Sequence, residues 1–308
     1  MISIKTIKKI YKKNSIWENL IISILLIMLL KCLYNTFNPM REGFLYTNRY
    51  TIKQGPEVFD GFYANYYDNL VFSYSKNVFE IGEIINISNL SEHSKVLDIG
   101  AGTGHHVALL AEKNIPVIGL DNSQSMVDYA KKTYPFLNFK VGDALNTNLY
   151  YQNSFTHILC LYFTLYYMND KKTFFNNCMK WLVPGGYLIV HLVDRENFNP
   201  LFYTGPPDLT KKGVITENNK TKTIIKQRDY TYTSSFLQDD NQPDIYIIKE
   251  KFTDENNNTR ENQHTLYMNT QKHILGLAKQ TGFILLGKID MSPIQYDYQY
   301  LYILQKPN

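Results

Sequence analysis

The chain is 308 residues long, with 32 basic and 28 acidic residues, a net charge of +4 and three cysteines. That length leaves room for one domain of about 250 residues plus extensions, and a core of that size needs no covalent or metal staple. Cys32, Cys160 and Cys178 are too few and too scattered for a disulfide framework or a zinc site, and the mild charge, with no basic stripe interleaved with aromatics, argues against nucleic acid as a partner.

In chain order, residues 1–14 read as a basic tail carrying Lys5, Lys8, Lys9, Lys12 and Lys13. An apolar run follows, Leu20 to Leu30 with only Ser23 interrupting it, and Lys31 closes it. Ile16, Trp17, Cys32, Leu33 and Tyr34 extend the run, and Glu18, Asn19 and Lys31 sit near enough to its ends to reach a membrane interface. The expectation is a single-pass membrane anchor over 15–34 and a linker over 35–58; a core or amphipathic helix is the alternative. Lysine-rich flanks prefer the cytoplasm, which sends the rest of the chain across, whereas free thiols argue the opposite. The side of the membrane stays open.

Phe59 to Leu70 carries Tyr63, Tyr66, Tyr67 and Asp68, which read either as a helix packing aromatics on the core or as a segment lining a site. Val96 to Gly104, Val-Leu-Asp-Ile-Gly-Ala-Gly-Thr-Gly, is the most informative stretch: a short apolar strand runs into three glycines at every second position. In an open α/β sheet such a bare backbone, followed by a helix N-terminus, can approach a ligand at the carboxyl end of the first strand. A dinucleotide fingerprint spaces its glycines at the first, third and sixth positions. Here they fall at the first, third and fifth, Gly100, Gly102 and Gly104, with His105 at the sixth.

Further short strands follow over Pro116–Asp121, Asn138–Val141, Phe155–Leu161 and Tyr187–Val193, alternating with helical stretches. Ser123 caps a helix to about Lys132, Thr270 caps another with Gly282 as its stop, and Phe283–Ile289 and Tyr300–Leu304 are β-rich. Five strands alternating with helices predict a parallel doubly wound sheet. Between them, residues 200–265 break the pattern with turns at Gly205–Pro207 and Asp239–Pro243 and extended runs over Thr221–Ile225, Tyr230–Phe236 and Ile245–Thr253. A β-meander placed there lies over the carboxyl edge of the sheet as a lid.

The glycine spacing, Asp98 ahead of it, Asp121 standing 21 positions after Gly100, the Gly142-Asp143-Ala144 segment and the Leu-Val-Pro-Gly-Gly turn at 182–186 resemble the class I S-adenosylmethionine-dependent methyltransferases, in particular the subgroup that methylates small molecules such as glycine and sugar amines. The resemblance implies an α/β domain over 59–308: a doubly wound, seven-stranded Rossmann-like sheet with a C-terminal antiparallel hairpin, the inserted lid over 200–265, and the N-terminal membrane helix ahead of it. It implies S-adenosylmethionine as cofactor, held by Asp98, Gly100, Ala101, Gly102, Gly104, Asp121, Asn122, Met126, Asp143, Ala144, Leu161 and Tyr66. Within that set a carboxylate at Asp121 suits a pair of ribose hydroxyls, since it accepts two hydrogen bonds side by side. Met126 reads equally as core packing.

Methyl transfer is an in-line displacement, so positioning is the main requirement, and an amine acceptor must become neutral before it attacks. His264, Arg195 and His105 are the candidate catalytic residues, chosen by position. His191, Tyr162, Tyr166 and Tyr167 lie at the same strand edge. The expected activity is methylation of a small-molecule acceptor, amine preferred, by a membrane-anchored enzyme. Lipid or quinone O-methylation at the membrane, and a non-catalytic membrane partner that binds the cofactor, are the alternatives.

Overall fold

The computed structural model describes residues 15–37, 50–198, 212–217, 220–227 and 229–308. Two compact units make up the chain, Met1–Leu45 and Tyr46–Asn308. The basic tail, positions 38–49 of the expected linker and the Gly205–Pro207 turn lie outside the described residues.

In the first unit α1 (Ile16–Phe37) starts at a reciprocal cap. Ser15 Oγ accepts from the Glu18 N–H at 3.2 Å, and Glu18 Oε2 accepts from the Ser15 N–H at 2.7 Å. The expected membrane span is not supported: among the described residues no helix is long and apolar enough to cross a membrane. The run free of charged residues from Leu20 to Leu30 covers about 16 Å as a helix, against roughly 30 Å of hydrocarbon, with Glu18 and Lys31 bounding it.

The second unit runs β1 (Tyr50–Gln54), α2 (Gly61–Val71), α3 (Tyr74–Ser88), β2 (Val96–Ile99), α4 (His105–Glu112), β3 (Val117–Asp121), α5 (Gln124–Thr133), β4 (Asn138–Val141), β5 (Phe155–Cys160), α6 (Lys171–Trp181) and β6 (Leu182–Val193). It continues with β7 (Lys212–Glu217), β8 (Lys220–Lys226), β9 (Tyr230–Gln238), β10 (Ile245–Asp254), β11 (Thr259–Tyr267), α7 (Gln271–Gln280), β12 (Ile284–Asp290) and β13 (Gln299–Gln305). The helix starts follow the sequence signals: Ser123 accepts from the Met126 N–H, and Thr270 from the His273 N–H.

One sheet has the order β12-β13-β6-β5-β2-β3-β4. β2 through β6 pair in parallel, while β13 is antiparallel to both its neighbours and is the one reversed strand. The order reverses at β2, which pairs with β3 on one side and β5 on the other. That switch point opens a crevice beyond the carboxyl end of β2. Leu97, Ile158, Leu188 and Trp181 are fully buried on the side of α6 and α7, and Ile81, Leu110, Ile189 and Leu301 on the side of α3 and α4. Fully burying each such aliphatic side chain contributes ~1.5–3 kcal/mol before the entropy of ordering it. Cys160 and Cys178 are buried free thiols within this core.

The second sheet has the order β1-β11-β10-β9-β8-β7 and forms the lid. It differs from the expected meander at one edge. β1, placed by sequence in a linker, pairs in parallel with β11 from Tyr50↔Thr259 to Gln54↔Gln263. Both edges of the segment 246–252 alternate as a half-buried strand should, with Tyr246, Ile248, Glu250 and Phe252 turned inward.

Candidate functional site

Loops after β2, β3 and β4 face β10 and β11 across a cavity of about 470 Å³, within the roughly 300–1,000 Å³ usual for small-ligand sites. Gly100, Gly102, Asp121, Asn122, Met126, Asp143 and Ala144 line one side, and Phe59, Tyr63, Tyr67, Tyr167, Glu250 and His264 the other.

The three glycines have three different reasons to be glycine. All have positive φ, at 73°, 54° and 92° for Gly100, Gly102 and Gly104. A Cβ on Gly100 would run into the Thr164 side chain, and one on Gly104 into the Phe139 ring at 2.6 Å. A Cβ on Gly102 would meet only the Tyr67 ring edge, at 3.8 Å, so Gly102 alone offers a bare backbone to a ligand. Gly104 and Ala101 are not among the residues that line the cavity, and Ala101 packs in the small cluster with Val107 and Phe139.

Asp121 Oδ2 accepts from the Gly102 N–H and Oδ1 from the Ser123 N–H, both at 2.9 Å. The Asn122 backbone N–H also bonds this carboxylate, which locks it at the cavity rim with about one acceptor position left. Burial raises its pKa, and the backbone hydrogen bonds oppose the rise. Asp143 Oδ1 accepts from the Leu145 N–H at 2.9 Å on the exposed side of the same rim. Asp98 is buried on β2 behind it, and its Oδ2 has no hydrogen-bond partner among the described residues. Burial pushes Asp98 up to about 6.

Across the cavity Glu250 is the centre of a polar cluster on the inner face of the lid. Its Oε1 accepts from the hydroxyls of Tyr63 at 3.0 Å and Tyr232 at 2.7 Å, and its Oε2 from Asn262 Nδ2 at 3.0 Å. His264 Nε2 lies 2.9 Å from Oε2, and His264 Nδ1 lies 3.0 Å from the Tyr167 hydroxyl. Burial favours the neutral acid, but His264 and the hydrogen bonds outweigh it and hold Glu250 below the usual carboxylate range. Arg260 ties this face to α2. Its guanidinium reaches Asp60 Oδ2 at 2.8 Å and the Val58 carbonyl at 3.1 Å, and stacks 4.5 Å over the Phe62 ring.

Several sequence-predicted residues stay outside the cavity. His105 stacks on Phe72 with centroids 3.8 Å apart, and its Nε2 lies 2.9 Å from Asp68. His106 turns the other way, to Glu80 at 2.8 Å, which also pairs with Lys76. Arg195 binds Asp244 and the Met268 carbonyl, joining the β6 end to the lid. Leu161 packs in the core with Ile189 and Ile303. Tyr66 is buried against Tyr230 and Phe252, so Tyr67 takes the place expected for it. The reason is helical phase: Tyr63 and Tyr67 are four residues apart on one face of α2, and Tyr66 is a third of a turn away. His191 is buried and neutral, its pKa lowered by burial to about 4; its Nδ1–H donates to the Tyr162 carbonyl at 2.6 Å. Tyr162, at φ 51°, lines the cavity.

Of these cavity residues, Glu250 is one that sequence reasoning did not select, whereas Tyr67 and Tyr167 belong to stretches it had already placed beside a site. A lone acid on the otherwise apolar inward face of Tyr246, Ile248 and Phe252 is the signal that marks Glu250.

Residues 96–186, the segment that supplies the glycine loop and both rim acids, match the family model described as "Methyltransferase domain". Residues 96–186 are a methyltransferase domain by this match, and the glycine loop and acids within it resemble those of the class I S-adenosylmethionine-dependent methyltransferases. Over 113 residues the chain is 34% identical to phosphoethanolamine N-methyltransferase 1 of Arabidopsis thaliana, covering 35% of this chain and 23% of that one. Over 146 residues it is 27% identical to dTDP-4-amino-2,3,4,6-tetradeoxy-D-glucose N,N-dimethyltransferase of Saccharopolyspora spinosa, covering 46% and 58%. These matches span less than two thirds of either relative. In fold it is similar to an S-adenosylmethionine-dependent methyltransferase of Clostridium acetobutylicum, with a TM-score of 0.60, 18% identity, and 80% and 98% of the two chains covered.

S-adenosylmethionine is the cofactor of the family to which this domain is assigned, and the residues present fit it. Gly102 gives close backbone approach, Asp121 has an acceptor position left for a ribose hydroxyl, and the unpartnered buried oxygen of Asp98 suits an ammonium group.

Proposed function

We propose that the chain transfers a methyl group from S-adenosylmethionine to a small-molecule amine. The observation that carries this reading is the shared cavity: the Gly102–Asp121 rim and the Glu250–His264–Tyr167 cluster line one space, so a cofactor on the first faces an acceptor on the second. Both curated relatives are named as N-methyltransferases, which supports nitrogen as the methylated atom.

When bound, S-adenosylmethionine supplies an electrophilic methyl group on a sulfonium. The chain's own contribution is placement and proton management. Gly102, Asp121, Asn122, Met126, Asp143 and Ala144 hold the nucleoside and amino-acid ends, with Asp98 behind them. Tyr63 and Tyr67 on α2 close the space between rim and lid and exclude water. His264, buried beside an anionic Glu250, is the base available to take a proton from the acceptor.

Purified chain, supplied with S-adenosylmethionine and a panel of amines, tests this by release of S-adenosylhomocysteine. The reading fails if calorimetry detects no binding of S-adenosylhomocysteine. Association with a membrane, as distinct from crossing one, is a separate proposal resting on the Leu20–Leu30 run and its basic neighbours. Partition of the full chain between membrane and soluble fractions, with and without residues 1–37, tests it.

A further inference from the structure

Glu250 accepts four hydrogen bonds, two on each oxygen, from Tyr63, Tyr232, Asn262 and His264. A carboxylate offers about four acceptor positions, so Glu250 has none left for a ligand. Its effect is exerted through His264. To donate to Oε2, the ring must carry a hydrogen on Nε2, and in its unprotonated form it presents Nδ1 as an acceptor to the Tyr167 hydroxyl. In that form the hydroxyl hydrogen is committed to His264, and the Tyr167 oxygen has only lone pairs left for the cavity it lines.

The surroundings share that polarity. Among the described residues, the charged side chains lining the cavity are Asp121, Asp143 and Glu250, with no lysine or arginine beside them. Phe59, Tyr63 and Tyr67 turn aromatic faces or edges into the same space. A partly desolvated space bounded by carboxylates, rings and an outward lone pair stabilises a cation and repels a phosphate.

Resting on the methyltransferase reading, we propose that the lid side of the cavity is an ammonium subsite. It takes the acceptor amine in protonated form, with one N–H on the Tyr167 oxygen, and disfavours an acceptor that carries a phosphate. The proton balance closes within the cluster. Tyr167 passes its hydrogen to His264 Nδ1 and receives one from the ammonium, leaving a neutral amine. The amine lone pair forms the new bond to the methyl carbon as the carbon–sulfur bond breaks and its electrons stay on sulfur. The proton held on His264 returns to water when the product leaves. Tyr167 therefore touches the acceptor, and Glu250 is a positioning residue.

The test is binding, not turnover. Full chain saturated with S-adenosylhomocysteine is titrated with 2-aminoethanol, benzylamine and O-phosphoethanolamine by calorimetry and ligand-observed NMR. At least one of the two amines without phosphate should bind ten times or more tighter than the phosphate ester, and Tyr167→Phe should weaken that binding tenfold while S-adenosylhomocysteine affinity stays within twofold. Equal or tighter binding of the phosphate ester, no binding of any of the three, or Tyr167→Phe behaving as the parent chain overturns the proposal. Failure of S-adenosylhomocysteine itself to bind overturns the methyltransferase reading instead.

Discussion

His264 Nε2 lies 2.9 Å from Glu250 Oε2, and both side chains are 2% exposed. In the register of β10 and β11, His264 stands opposite Ile248 and Glu250 opposite Asn262, which makes the pair diagonal neighbours on one sheet face. The distance is fixed by main-chain pairing and does not depend on a flexible loop.

His264→Ala removes the base, and Glu250→Gln places an amide donor against groups that already donate. Both variants should lose at least tenfold in turnover, with S-adenosylmethionine affinity within about twofold of the parent. Steady-state kinetics alongside calorimetry checks this, and unchanged turnover removes the pair from the site. Glu250→Gln should also cost ~1–3 kcal/mol of stability, because a buried donor is left unsatisfied.

Gly102→Val should act on the cofactor side. The residue sits at φ 54°, where a β-branched side chain is strained by ~1–2 kcal/mol, and the new methyls would fill the space shared with Tyr67. The expected result is at least tenfold weaker S-adenosylhomocysteine binding with little change in the far-ultraviolet circular dichroism. Parent-like affinity would mean the ligand does not approach this backbone.

Asp98→Asn separates stability from binding. Burial lifts this acid from its ordinary 3.8 to about 6 in the folded chain. Between those values the folded state holds more protons than the unfolded one, so this group makes stability fall as pH rises through the window and leaves a cost of about 3 kcal/mol above it. The amide should raise the melting temperature at pH 8 by roughly 5 °C, and it should weaken S-adenosylmethionine binding at least tenfold. Thermal melts at pH 4 and pH 8 check the sign: the gain should be present at pH 8 and nearly absent at pH 4.

Arg260→Ala should loosen α2 from the lid. The substitution removes the Asp60 ion pair, the Val58 carbonyl contact and the stacking on Phe62 together. Asp60 also caps α2, accepting from the Tyr63 N–H at 3.1 Å. The expected loss is about 2–4 kcal/mol of stability, with faster amide exchange concentrated in residues 59–71. Uniform exchange at parent rates would show that α2 is held by other contacts.

The parallel strands and their helices were legible because each is written in local signals. β2, β3 and β4 are short runs that end at glycine or aspartate, and the side chains of Ser123, Asp170 and Thr270 cap α5, α6 and α7. The rim acids Asp121 and Asp143 were legible for the same reason, since strand tips are sequence landmarks. The N-terminal run is not supported as a span, because its charge-free stretch is short and is followed at once by Lys31. Tyr66 was chosen over Tyr67 because the phase of a helix against a site is set by what the helix packs on. Arg195 and His105 stood at the right edge of the sheet, yet each has partners, Asp244 and Phe72, that draw it away from the cavity.

What the sequence by itself determined is the glycine-loop side of the cavity: the loop and its two rim acids lie within fifty positions of one another, and the parallel strands over 96–193 follow from runs in which local backbone preferences dominate. The lid side of the cavity was decided only by tertiary structure. β1 reaches β11 across some two hundred positions, Tyr63 reaches Glu250 across 187, and Tyr167 reaches His264 across 97. Such contacts form because burying the lid's inner face forces its polar groups to find partners there, a requirement of the packed state that no stretch of chain states alone.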